Sequence, residues 1–127
     1  MVTRFEDLIC WQAARELVKL VYTLCSKGKL GKEYELKGQL KSDGLSSMNN
    51  ISEGFARYHK KDSIRFYDMA QSSAAEVKSM SYAIEDIQLL EPHEIKELRE
   101  IAEKTRNLTL GFIKYLDKQD ITSKTSA

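Results

Sequence analysis

The sequence predicts an all-α protein, an antiparallel up-down-up-down four-helix bundle. Three observations carry this prediction. Four apolar stripes repeat at steps of three and four residues, the breaks between them are short, and no alternating strand pattern occurs along the 127 residues. Short connections make consecutive helices antiparallel neighbours. A chain of this length buries roughly two-thirds of its unfolded surface, so its core needs neither disulfide nor metal.

The first stripe runs through Leu8, Trp11, Ala14, Leu17 or Val18, Val21 and Leu24 or Cys25, and Gly28-Lys29-Leu30-Gly31 ends it. The second takes in Leu36, Leu40, Ser47 or Met48, Ile51, Phe55 and Tyr58, followed by the break Tyr58-His59-Lys60-Lys61. A third carries Phe66, Met69 or Ala70, Ser73, Val77, Met80, Ile84 and Ile87, and it stops at Leu90-Glu91-Pro92-His93. Pro92, the sole proline, stands where the first turn of a helix tolerates it. The fourth stripe joins Ile95, Leu98, Ile101 or Ala102, Thr105, Leu108, Phe112 and Tyr115 or Leu116. Glu94, Glu97 and Glu100 near its start and Lys114 and Lys118 near its end match the helix dipole. The bundle domain is expected to span 1–118, and 119–127, which loses the stripe, is expected to fray.

Twenty Lys plus Arg against nineteen Asp plus Glu leave a formal charge of +1, which excludes a globally basic protein drawn to polyanions by its overall field. No run of 18 apolar residues is present to span a bilayer, and the first residues lack the apolar stretch of a signal peptide. A cytoplasmic protein without membrane contact is expected, so the sequons at Asn50 and Asn107 carry no meaning. Cys10 and Cys25 fall on one helix about 22 Å apart. That is too far for a disulfide, and buried reduced thiols are expected.

Catalytic and metal-binding patterns are missing. Neither His59 nor His93 has Glu three residues before it, as a di-iron bundle requires. His93-Glu94-Ile95-Lys96-Glu97 lacks the second histidine of a zinc-protease helix. Gly38 and Gly44 are spaced six apart, with Leu45 following where a phosphate-binding loop has Lys. Gly44-Leu45-Ser46 does not form a nucleophile elbow. The expectation is a non-enzyme with no catalytic residue, cofactor or metal.

Two constellations remain. Folding the second and third helices about residue 60 brings position i near ~120 − i, because antiparallel helices rise equally. Ser46, Asn50 and Glu53 on the second helix then share a polar seam with Ser72, Ser73 and Glu76 on the third. Such a seam fixes helix register, forms a subunit interface or holds a ligand. The other constellation is a basic turn of Arg57, His59, Lys60, Lys61 and Arg65, to which bundle topology adds Arg4, Lys114 and Lys118. It is either a polyanion surface or a solvated charged turn. Lys27, Lys29 and Lys32 form a weaker group at the opposite end. Phe55, Tyr58, Phe66 and Tyr67 flank the basic turn, placed either to stack bases or to fill the core.

These residues carry a resemblance. Phe5-Glu6-Asp7-Leu8 with Trp11-Gln12 and Ala14, then Gln39-Leu40, then Ser47 with Asn50-Ile51-Ser52-Glu53-Gly54 and Arg57, then Phe66, Ala70, Ser72-Ser73 and Glu76 are similar to the bacterial 23S rRNA intervening sequence, or S23, proteins. The likeness spans about residues 5 to 118, and its specific part is Asn-Ile-Ser-Glu-Gly with the downstream Ser-Ser-x-x-Glu. It implies an up-down bundle that assembles into a homopentameric ring, with no ribosomal-subunit role attached to the name. A distantly similar bundle serves diversity-generating retroelements, binding a reverse transcriptase and nucleic acid through a basic pentamer surface. The sequence departs from the family pattern at Lys41-Ser42-Asp43, where members commonly carry paired arginines, and at Asn49, where Pro often stands. One Lys and an Asp in place of two arginines weaken an anion site there.

The expected function is therefore that of a non-enzymatic homo-oligomer, pentameric by resemblance, with weak binding of RNA or DNA through the turn between helices two and three. The alternative is a protein-interaction scaffold or accessory subunit with a protein partner and no direct nucleic-acid role.

Overall fold

Leu8 and the helix after it show how the sequence builds the first wall. In the computed structural model, which describes residues 2–126 and the side chains of 2–119, a short 3-10 turn Phe5–Asp7 leads into α1, Ile9–Cys25. Its inward face presents Cys10, Ala13, Ala14, Leu17, Val21, Leu24 and Cys25. Both cysteines are free and buried, as their spacing requires. A second 3-10 turn, Leu30–Lys32, plugs the bundle end with Leu30 and delivers the chain to α2, Tyr34–Ala56. Then follow α3, Lys60–Ile87, and α4, Pro92–Ser126. Of the segment 119–127, the side chains from 120 onward lie outside the described residues.

The connections are governed by local chemistry. Helix α3 ends with Gln88 in the left-handed region, φ 62°, so that its N–H reaches the Glu85 carbonyl and the Leu89 N–H reaches the Ile84 carbonyl at 3.1 Å. This motif closes the helix and packs Leu89 with Ile84 in one core cluster. Helix α4 starts at Pro92, and Glu94 turns back to accept the Glu91 N–H at 3.0 Å. That bond, assisted by Lys27 at 3.3 Å, holds the Glu94 carboxyl below the usual carboxylate range.

All described elements are helical, without a strand among them. Each helix packs on two others: α1 on α2 and α4, α3 on α2 and α4. Between α2 and α3 the partners run in opposite senses, Ser46 with Ser73 and Gly54 with Tyr67, and between α3 and α4 likewise, Lys78 with Glu103 and Ser81 with Arg99, so these neighbours are antiparallel. The core divides into two apolar clusters. One, around Leu17, Val21, Leu40, Val77, Ile84 and Leu98, fills the end that holds Leu30. The other, around Leu8, Cys10, Ile51, Tyr67 and Ala70 with Trp11 and Phe112, fills the end with the α2–α3 turn. Small residues lie between them, including Gly44, Ser47, Ala74 and Thr105.

Several stripe positions differ from the expected pattern. Tyr67, 2% exposed, takes the core place expected of Phe66, while Tyr58 stands 94% exposed outside any helix, and Ile87 is also exposed; of Met69 and Ala70, Ala70 is the buried one. Helix α3 contacts both α2 and α4, so its buried arc centres on Ser63, Tyr67, Ala74, Ser81 and Ile84, displaced from a single stripe. Gly54 makes room for the change. A Cβ on it would sit 2.6 Å from Tyr67 Cε1, closer than carbon atoms pack, and a tight 3.0 Å from the Ser63 carbonyl oxygen.

Two substitutions check these backbone constraints by urea unfolding. Gly54→Ala should lower stability by about 1–3 kcal/mol, the usual cost of overpacking a filled core. Gln88→Gly should raise it by about 1 kcal/mol, because glycine enters the left-handed region without a Cβ penalty. In both variants the midpoint moves while the slope stays constant.

Candidate functional site

The polar seam lies where the register rule places it, with a different wiring. Asn50 Nδ2 donates to the Ser46 carbonyl at 2.8 Å and to Ser46 Oγ at 2.9 Å. Ser46 Oγ meets Ser73 Oγ at 2.9 Å across the helix interface, and Ser73 Oγ donates to the Met69 carbonyl at 3.0 Å. Protons therefore run one way, from Asn50 to Ser46 to Ser73 to the backbone, and each hydroxyl donates once. Glu53 stands apart from this chain, bound to Arg57 at 2.7 Å. Ser72 faces solvent.

Glu76 meets a partner that was not among the expected seam residues. Asp43, one turn before Ser47 and 7% exposed, accepts Gln39 Nε2 at 3.1 Å. It also hydrogen-bonds Glu76, whose carboxyl is raised above its ordinary range by that bond first and then by Asp43's charge. The pairing of positions 43 and 76 obeys the same sum as 46 and 73, so the register rule would have found it. Only a charge at a core-facing position marked it in the sequence. Ser47 Oγ, on the next turn, is buried without a hydrogen-bond partner.

At the bundle's other feature, helix α2 stops at Ala56 and α3 begins at Lys60, with Arg57 and His59 both extended (ψ 140° and 131°). The His59 carbonyl caps α3 by accepting the Ser63 N–H at 3.0 Å and its hydroxyl at 3.3 Å. Arg57 is doubly engaged, by Glu53 and by the Phe66 ring 4.5 Å below its guanidinium carbon. His59 sits edge-on to Tyr58, ring centres 5.0 Å apart. Lys61 and Arg65, one turn apart, project from the exposed face of α3, and Lys60 is half-buried beside them. Arg4, at the same end, is held by Asp7 at 3.5 Å and Glu6 at 3.9 Å. At the opposite end Lys27 is committed to Glu94.

A groove of about 940 Å³ opens beside this turn. Its walls are Ile9, Phe55, Tyr67, Phe112, Tyr115 and Leu116, and Lys60, Tyr58 and Asp7 stand among its lining. The sequence marked the aromatic residues but not the hollow, which arises where the chain start, the α2–α3 turn and late α4 meet. No group of three or more His, Cys, Asp or Glu able to hold a metal occurs among the described residues. The thiols are inert by environment: burial pushes Cys10 up to about 11 and raises Cys25 as well. None of the described helices is long and apolar enough to cross a membrane.

Four packed helices with a hydrogen-bonded serine seam and one aromatic-lined end define a small all-α helical-bundle protein. The model of the family described as 23S rRNA-intervening sequence protein matches residues 6–111, and the chain belongs to that family. The match spans α1 to α3 and most of the described part of α4, including the seam and the basic turn. Comparison with curated proteins gives no match.

The carboxyl pair has a pH signature. A raised folded-state value means that the stabilisation of protonated Glu76 is present below the ordinary carboxylate range and is lost as pH rises through the raised value. Glu76→Gln keeps a donor toward Asp43 and removes the repulsion. It should raise the urea midpoint over the parent at pH 7, and the difference should close towards pH 4.

Proposed function

We propose that this protein is a non-enzymatic homo-oligomer of the cytoplasm, a pentameric ring as its family resemblance implies, that binds RNA or DNA weakly through the α2–α3 turn. The observation that carries this reading is the exposed pair Lys61 and Arg65, which form no ion pair among the described residues and stand beside Lys60. Arg57, already bound to Glu53 and Phe66, gives the turn its shape more than its free charge. Two or three cations per subunit make a weak site. A ring repeats it, and simultaneous contacts raise affinity without any new interaction.

Binding of this kind is read by its salt dependence, since each neutralised phosphate releases about 0.9 counterion from a duplex and about 0.7 from a single strand. Fluorescence anisotropy on the Lys60→Glu, Lys61→Glu double variant should show at least about a tenfold loss of affinity and a shallower salt slope. Unchanged affinity would sink the nucleic-acid reading. Light scattering at micromolar concentration should give a multiple of the 14.6 kDa chain mass. A monomer there would remove the ring.

One observation favours a second reading, a protein-interaction scaffold or accessory subunit. Ile9, Tyr58 and Tyr115 are exposed around the same apolar groove, and exposed apolar surface of that kind commonly docks protein. In that case a pull-down recovers a protein partner and no salt-sensitive nucleic-acid binding is found.

A further inference from the structure

We infer that the nucleic acid taken at the α2–α3 turn is single-stranded, with an unpaired base stacked on Tyr58 at the mouth of the neighbouring groove. This deepens the nucleic-acid reading above and rests on it. Four aromatic residues flank the turn, and their surroundings separate them. Tyr67 is 2% exposed. The Phe66 face is covered by the Arg57 guanidinium, and Phe55 packs against the cluster of Ile51 and Tyr67. Tyr58 alone of the four offers a bare ring, at 94% exposure.

Its exposure is built in by the backbone. Tyr58 lies between two extended cap residues, Arg57 and His59, in a three-residue turn whose ends are pinned by α2 and by the Ser63 bonds to His59. The backbone beneath the ring is thus anchored, so stacking on it has to order only the tyrosine side chain. The perpendicular contact with His59, ring centres 5.0 Å apart, engages at most one side of the ring, and at 94% exposure the other side is open to solvent. A ligand that uses this ring must present a flat π-face.

The surroundings fit a base in particular. The groove that Tyr58 borders is walled by aromatic and aliphatic side chains, with Tyr115, itself half-exposed, also in its lining. Its volume of about 940 Å³ exceeds what one flat ring system fills. Lys60 lies in the same lining, and Lys61 and Arg65 continue the positive charge along α3. This charge is complementary to the phosphates on either side of a stacked base. A duplex keeps its base faces stacked internally, so it reaches only the cations. A single strand uses both, as in stacking platforms that track a backbone with positive charge.

The test uses the full-length protein and a labelled single-stranded RNA of about 20 nucleotides, free and as its duplex, by anisotropy across a salt series. The single strand should bind more tightly than the duplex. Tyr58→Ala should weaken it about 5- to 160-fold, the range of one lost base stack, while duplex affinity and salt slope stay unchanged. Tyr58→Phe should restore the loss, and Lys61→Glu should weaken both ligands and flatten the slope. Equal binding of both ligands, untouched by Tyr58→Ala, overturns the inference while leaving the basic surface intact. Failure of both ligands to bind overturns that surface and the inference together. Capture of a protein that depends on Tyr58, with no change in RNA binding, assigns the ring to a protein partner and also overturns the inference. Because Tyr58 is exposed, an unchanged unfolding midpoint is expected for its variants.

Discussion

The contact between Gly54 and Tyr67 sets the geometry on which the rest of this bundle depends. A side chain at position 54 would collide with the tyrosine ring and with the Ser63 carbonyl, so glycine lets α2 and α3 close together just before they join. The close approach places a large aromatic in the core directly beneath the turn. It also leaves only Arg57, Tyr58 and His59 to reverse the chain. A turn that short cannot fold its residues inward. Arg57 turns back over Phe66, His59 gives its carbonyl to Ser63, and Tyr58 is left facing solvent.

The same close approach aligns the helix pair farther along. Once 54 lies against 67, equal rise brings 46 to 73 and 43 to 76; the serines hydrogen-bond, and the carboxyls do so when Glu76 carries a proton. The serine network is neutral and complete, which suits a part of the bundle where small residues bring helices near one another. The carboxyl pair is different in kind, since at neutral pH it opposes the contact that the serines make. Elsewhere charge is used conventionally. Lys78 bonds Glu103 at 2.7 Å and holds its carboxyl below the usual range, while Arg99 meets Ser81 at 2.9 Å, Glu85 at 3.4 Å and the Tyr82 ring. These exposed and half-exposed pairs orient α3 and α4 more than they stabilise them. The near-neutral total charge is therefore an average over a surface where cations such as Arg4, Arg57, Lys78 and Arg99 are held in ion pairs, while Lys61 and Arg65 project from the exposed face of α3 beside the turn.

The helices and their breaks were legible from periodicity, and the register of α2 against α3 from the short connection and the fixed rise per residue. Ser46 and Ser73 could be matched because helical rise is the same for every sequence, and Cys10 and Cys25 could be kept apart for the same reason. The site was legible only in part. Asp43 stood out only as a departure from the family pattern and not as a partner of Glu76, since an acid at a core-facing step reads as a gap in the stripe until its partner across the interface is known. The aromatic residues were visible, but Phe66 and Tyr67 are neighbours about 100° apart on the helix, and both border the inward face.

What the sequence by itself determined is the local order: where each helix starts and stops, which face is mainly apolar, and how far apart two residues on one helix must be. These follow from short-range sterics and a fixed rise per residue. The tertiary structure decided which of two adjacent aromatics is buried, which cations are neutralised, and that a groove opens beside Tyr58. Each of those depends on a residue from another helix arriving at a given distance, as Gly54 does for Tyr67, Glu53 and Phe66 do for Arg57, and late α4 does for the groove.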